Sequence, residues 1–160
     1  MFIAGISFRG LTAIRFIPPT PKITADLCIQ NVLEPLVQKD FPRVYPGEER
    51  KVALHQDSAP AHTSKKICQR LASRGVRNIP KGMWPSNLPD STSMDFGTNG
   101  IFKRILYQKY AASIRGLLTV ARRSFSSISI TLICQILFSW RYCVELMAEK
   151  KGFQIEQILE

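Results

Sequence analysis

Three side chains in the stretch Leu54–Lys66, LHQDSAPAHTSKK, could hold a cation or move a proton: His55, Asp57 and His62. Asp57 ends an apolar-alternating run (Val52, Leu54). After it come a small-residue turn with Pro60, the helix-start residues Thr63 and Ser64, and a basic helix. That order describes a strand carrying a carboxylate to its C-terminal tip, the edge at which open α/β sheets gather ligands. The same spacing also suits an acid that only caps a turn. Beyond a gap of 37 residues lies Asp95, two positions after the helix-start residue Ser93. On spacing alone Asp95 is an acid complementing a helix dipole. Asp90, in Leu88-Pro89-Asp90, suits an Asx-type turn. His62 has no cysteine or serine near it in sequence to act as a nucleophile, so it reads as a turn or packing residue. Two histidines around one aspartate make a poor metal set.

The elements that must position these groups follow from periodicity. Phe2–Phe8 and Leu11–Ile17 are rich in β-branched and aromatic residues around Arg9-Gly10, which predicts a hairpin. Pro18, Pro19 and Pro21 form a stiff connector. Thr24 is an expected N-cap, with Asp26 in the first turn. Ile29, Val32, Leu33, Leu36 and Val37 share one helical face, and Pro35 predicts a kink or break within it. Pro42–Glu49 is an expected loop and Lys51–Asp57 a strand. A helix follows from Ser64 to Arg74 with Gly75 at C′, then a short strand over Val76–Ile79. Lys81–Ser93 is a proline-rich loop. Ser93 is the expected cap of a helix through Phe102, Ile105 and Leu106, which Gly97 and Gly100 weaken by roughly 1 kcal/mol each. One or two helices run from Ser113 to about Lys150, and a short tail follows.

The chain of 160 residues has 45% hydrophobic and 21% charged residues, the composition of one folded domain. Its net charge is +10, all of it between His62 and Arg123, where twelve Lys/Arg face only Asp90 and Asp95. Lys66, Arg70 and Arg74 recur every four residues as a stripe opposite Ile67 and Leu71. Such a concentration suits a polyanion, and it equally suits solvated helix faces. The four cysteines (Cys28, Cys68, Cys134, Cys143) have no CxxC spacing, which argues against a zinc site or a disulfide framework and for free thiols inside a cell. The longest apolar run, Ile128–Trp140, contains Ser129, Thr131 and Gln135, and reads as a buried helix shorter than a membrane span. The first 25 residues have Arg9, Arg15 and Lys22 and no acid, superficially like a transit peptide, but they alternate like strands.

Four stretches resemble mariner-like transposases, which are DDE/D enzymes with an RNase H-like fold. GISFRGLTAIRFI (Gly5–Ile17) is similar to the family's second and third strands, and HQDSAPAHTSKK (His55–Lys66) to its second-acid motif. WPSNLPDSTSMDFGTNGIFKRIL (Trp84–Leu106) is similar to its third-acid motif. Trp140, Gly152, Ile155 and Glu156 resemble the pattern of its C-terminal helices. The resemblance implies an α/β, RNase H-like mixed sheet with flanking helices and a helical C-terminus, lacking the first, central strand. It implies a core over residues 1–112 and a helical extension of the same domain over 113–160.

The resemblance further makes Asp57 and Asp95 the second and third metal ligands of a catalytic trio binding Mg²⁺ or Mn²⁺, in the two-ion chemistry of phosphodiester cleavage. Lys65, Lys66, Arg70, Arg74, Lys103 and Arg104, with Arg122 and Arg123, would contact phosphates without reading bases. The family's first acid would precede Met1. Asn99 stands where the family has a tryptophan, a change costing on the order of 3 kcal/mol of buried aromatic. The expectation is a transposase-derived, DNA-binding, nuclear domain with no cleavage or strand transfer of its own. The alternatives are an active metal-dependent fragment and a non-catalytic protein docking a full-length relative, or a second copy, through an open sheet edge. No membrane partner is expected.

Overall fold

The computed structural model describes residues 1–19, 22–57, 59–80, 82–83 and 92–149. The expected turn acid Asp90, most of the Lys81–Ser93 loop and the tail with Gly152, Ile155 and Glu156 lie outside them. Helix and strand are both present, so the protein is α/β, with helix predominating. The chain divides into two compact units, Met1–Ala4 with Thr12–Ser86, and Gly5–Leu11 with Asn87–Glu160.

In the first unit, β1 (Phe2–Ile3) pairs antiparallel with β4 (Arg15–Phe16), Phe2 opposite Phe16. A helical segment then runs from Ala25 to Val44. It comprises α1 (Ala25–Cys28), wide π-type turns over Ile29–Leu33 and Leu36–Asp40, and α2 (Phe41–Val44). Thr24 caps it as expected, its Oγ1 accepting from the Leu27 N–H at 3.3 Å. Pro35 breaks nothing: it sits between the two wide stretches, where the helical ladder is already re-spaced around its missing N–H. Pro42 falls in the first turn of α2, a position that tolerates proline, so the expected loop begins three residues later than its sequence suggests. The segment buries Cys28, Val32, Leu33, Leu36 and Phe41 against Ile17, Ile67, Leu71 and Val76.

Next come β5 (Ala53–Leu54), α3 (Lys65–Ser73) and β6 (Arg77–Asn78), with β5 and β6 parallel. Ser64 caps α3 by accepting from the Ile67 N–H at 3.4 Å. Gly75 takes φ +65° after its end. There the Gly75 N–H bonds the Ala72 carbonyl and the Val76 N–H bonds the Leu71 carbonyl, both at 3.0 Å. These two bonds close a Schellman motif, and they turn the chain back into β6.

In the second unit, β2 (Ile6–Ser7) and β3 (Gly10–Leu11) form a hairpin turning at Phe8-Arg9. The segment 92–107 holds a wide turn over Met94–Thr98 and α4 (Asn99–Tyr107); α5 (Ile114–Ser126) and α6 (Ile130–Glu149) follow. Ser113 caps α5, accepting from the Gly116 N–H at 3.1 Å. Phe102 and Phe125 meet edge-to-face at 5.6 Å; Ala121, Ile133 and Ile136 of this unit are also buried, and Cys143 and Met147 form a separate small cluster.

Two expectations need correction. Among the described residues the strands form three separate two-stranded ladders, and a joined mixed sheet is not formed. Each strand has two residues, too few to template a further neighbour. The run from Ile128 also belongs to a helix of membrane-spanning length, contrary to the expectation of a shorter and buried one. The 20 residues of α6 have a mean hydropathy of 1.3 over their most apolar window, and only 22% of that window is buried. Phe138 and Tyr142 lie on its open side.

Candidate functional site

Asp57 lies three residues beyond β5, on the turn that leads to α3. Its Oδ1 accepts from the Ala59 N–H at 3.1 Å and bonds His62 Nδ1 at 2.5 Å. The side chain of Cys28 acts on the same imidazole in the same direction as Asp57. His62 is therefore raised to about 10, first by Asp57 and then by Cys28, against the opposing effect of burial. The same His62 hydrogen bond is the main reason Asp57 is held below the usual carboxylate range. His55, two residues before Asp57, is pushed down by burial, with the charge of Asp57 opposing.

The bonded pair is His62–Asp57, and Cys28 is the neighbour that sequence distance hides. It lies 34 residues before His62, and the only signal for it is its place on the apolar face of the helical segment. Nucleophilic catalysis needs an exposed thiol beside its base. Cys28 is 1% exposed and packed in the core, so here the arrangement positions the Asp57 turn.

Asp95 is held differently. Its Oδ2 accepts from Thr92 Oγ1 at 2.6 Å, and its backbone N–H points back to the same hydroxyl at 3.4 Å. Its Oδ1 accepts from Asn99 Nδ2 at 3.0 Å. The helix is therefore capped by Thr92 reciprocally with Asp95, whereas Ser93, the expected cap, is already helical and makes no capping bond. Asn99, where the resembled family has tryptophan, anchors the Asp95 carboxylate.

Magnesium wants several oxygen ligands converging on one point. Asp57 belongs to the first unit and Asp95 to the second. Among the described residues no group of three or more His, Cys, Asp or Glu side chains is arranged to hold a metal ion. Both aspartates are bonded to protein partners. No catalytic step follows from the geometry of these two carboxylates.

The basic residues divide into two sets. On α3, Arg70 Nε is paired with Glu34 Oε1, Arg74 donates to Glu34 Oε2 at 2.6 Å, and Lys66 is paired with Asp26. Glu34 is held below its usual range, chiefly by Arg70. Lys65, Lys103 and Arg104 are exposed, and among the described residues no carboxylate pairs with them. Arg122 and Arg123 are also exposed, on α5. Asp40 is buried and bonds Arg15, the Arg43 guanidinium at 3.2 Å and the Ala13 N–H at 3.1 Å. Its signal was its spacing four residues after Leu36, on the buried face.

No family model matches this chain. No curated protein sequence matches it either. Its side chains provide a fixed aspartate turn, an exposed basic set and a second basic set neutralised in place.

Proposed function

We propose that these residues form a transposase-derived, nucleic-acid-binding domain of the mariner-like DDE/D class, built on an RNase H-like plan and acting on DNA in the nucleus. The observation that carries the reading is the parallel β5–α3–β6 unit, with Asp57 just past the C-terminal end of its first strand and a capped basic helix after it. That is the local arrangement the HQDSAPAHTSKK wording implies. Lys65, Lys103 and Arg104, exposed and with no carboxylate partner among the described residues, supply sequence-independent attraction for phosphates.

By itself the 160-residue chain cuts no DNA in this reading. Cleavage through two Mg²⁺ or Mn²⁺ ions calls for three converging carboxylates. Asp57 is engaged by His62, and Asp95 by Thr92 and Asn99. The test is a supercoiled-plasmid assay with Mg²⁺ or Mn²⁺, run beside an electrophoretic shift of duplex DNA at low salt. A shifted duplex with an intact plasmid is the expected result. Metal-dependent nicking that Asp57→Ala abolishes would establish an active enzyme instead, and an unshifted duplex would remove the nucleic-acid reading.

A further inference from the structure

Lys66, Arg70 and Arg74 stand at four-residue intervals along α3, and each is met by an acid of the helical segment that starts at α1. Asp26 takes Lys66, and Glu34, eight residues later, takes Arg70 and Arg74. Partners advance in the same direction on both segments, so the two lie side by side with their charges in register. The pairs are unequal. Lys66 and Asp26 are each about three-fifths exposed, and such a surface pair holds its cation weakly. Glu34 is 17% exposed and gives one oxygen to each arginine. Two guanidiniums converging on one oxyanion is also the way arginines hold a phosphate. Both arginines keep more than a third of their side-chain surface open to solvent, so a phosphate can reach them from outside.

We infer that Glu34 is a built-in competitor for phosphate: its carboxylate occupies the Arg70–Arg74 clamp and masks it from DNA until displaced. The inference rests on the nucleic-acid reading above and adds its regulation. In the resting chain, α3 offers DNA Lys65 and the loosely held Lys66, while its arginine pair is closed. Anything that draws Glu34 away, or neutralises it, opens two further phosphate contacts.

The test is the salt dependence of duplex-DNA binding, followed by fluorescence anisotropy on the full chain from 50 to 200 mM salt. Each phosphate neutralised adds about 0.9 to the slope of log K against log salt. Glu34→Gln frees two cations and should steepen the slope by about 1.8, so the affinity lost across that salt range grows about tenfold. Glu34→Gln/Arg70→Gln/Arg74→Gln should return to the parent slope. A parent-like slope in Glu34→Gln, with binding retained, overturns the mask and leaves the DNA reading standing. No binding by any variant at 50 mM salt overturns both. Should Glu34→Gln unfold, Arg70→Gln/Arg74→Gln in the parent chain decides: an unchanged slope supports the mask, and a slope shallower by about 1.8 overturns it.

Discussion

Gly97 tests how the turn carrying Asp95 is seated. A Cβ added there would stand 2.9 Å from Ile136 Cγ2, 3.1 Å from Cγ1 and 3.2 Å from Cδ1. Two of those atoms are attached directly to the Ile136 Cβ. A β-branched side chain in a helix has essentially one χ1 choice, so they cannot swing aside. In an open helix Gly→Ala gains about 1 kcal/mol. Forcing a methyl into a packed core costs about 1–3 kcal/mol, and Ile136 is buried. At 2.9 Å from a fixed branch atom the cost exceeds the gain, and Gly97→Ala should be destabilising by up to about 2 kcal/mol net. Urea unfolding followed by circular dichroism and by the fluorescence of Trp140, on α6, reads this out. Ile136→Ala alone costs about 2–5 kcal/mol, but in the Gly97→Ala background it also removes the clash, so the two changes should couple favourably by at least about 1 kcal/mol. A stabilised Gly97→Ala chain, or strict additivity, would refute the close approach of this turn to α6. The sequence shows only the propensity cost of Gly97 and assigns it the wrong sign in context.

Further outcomes follow from charges held inside the first unit. Asp40→Ala leaves the partly buried Arg15 guanidinium without its buried carboxylate and should cost about 3 kcal/mol by urea unfolding; a loss below about 1 kcal/mol would show that the pair is not desolvated. The Asp57–His62 contact sets a pH window. His62 is raised from its ordinary value near 6.5 to about 10, so its stabilisation is complete below pH 6.5 and is lost as pH rises towards 10. Asp57 is lowered, so its share is present above its ordinary value near 3.8 and is lost as pH falls through the lowered one. The stability difference between the parent chain and Asp57→Asn should be flat from pH 5 to 6.5 and shrink by pH 10. A difference growing above pH 7 would contradict the pairing. Glu34 is also lowered, so the clamp holds above its ordinary value near 4.5 and is lost as pH falls below it.

Much of the local structure could be read from residue types because its causes are local. Thr24 and Ser64 cap the helices at which they were expected, and Gly75 ends α3 in the left-handed conformation anticipated for it. Local reasoning failed where partners are distant. Pro35 and Pro42 are tolerated because wide turns re-space the backbone around them. Thr92 outcompetes Ser93 as a cap because its hydroxyl finds the Asp95 carboxylate. The basic stripe on α3 was visible, but its neutralisation was not, since Glu34 lies 36 and 40 positions from its two arginines. The sequence expects a strand running to Asp57, whereas β5 ends at Leu54 and Asp57 stands on the turn, where its bond to His62 depends on how the turn folds back.

The claim on which the rest depends is that this chain binds nucleic acid through its exposed cations. Its most direct measurement is the salt slope of duplex-DNA binding for the parent chain and for Lys65→Gln/Lys103→Gln/Arg104→Gln. The account expects the parent affinity to fall with salt, and the variant slope to be shallower by about 2.7, since three phosphate contacts are lost at about 0.9 each. Parent binding that ignores salt, or a variant slope equal to the parent's, would contradict it.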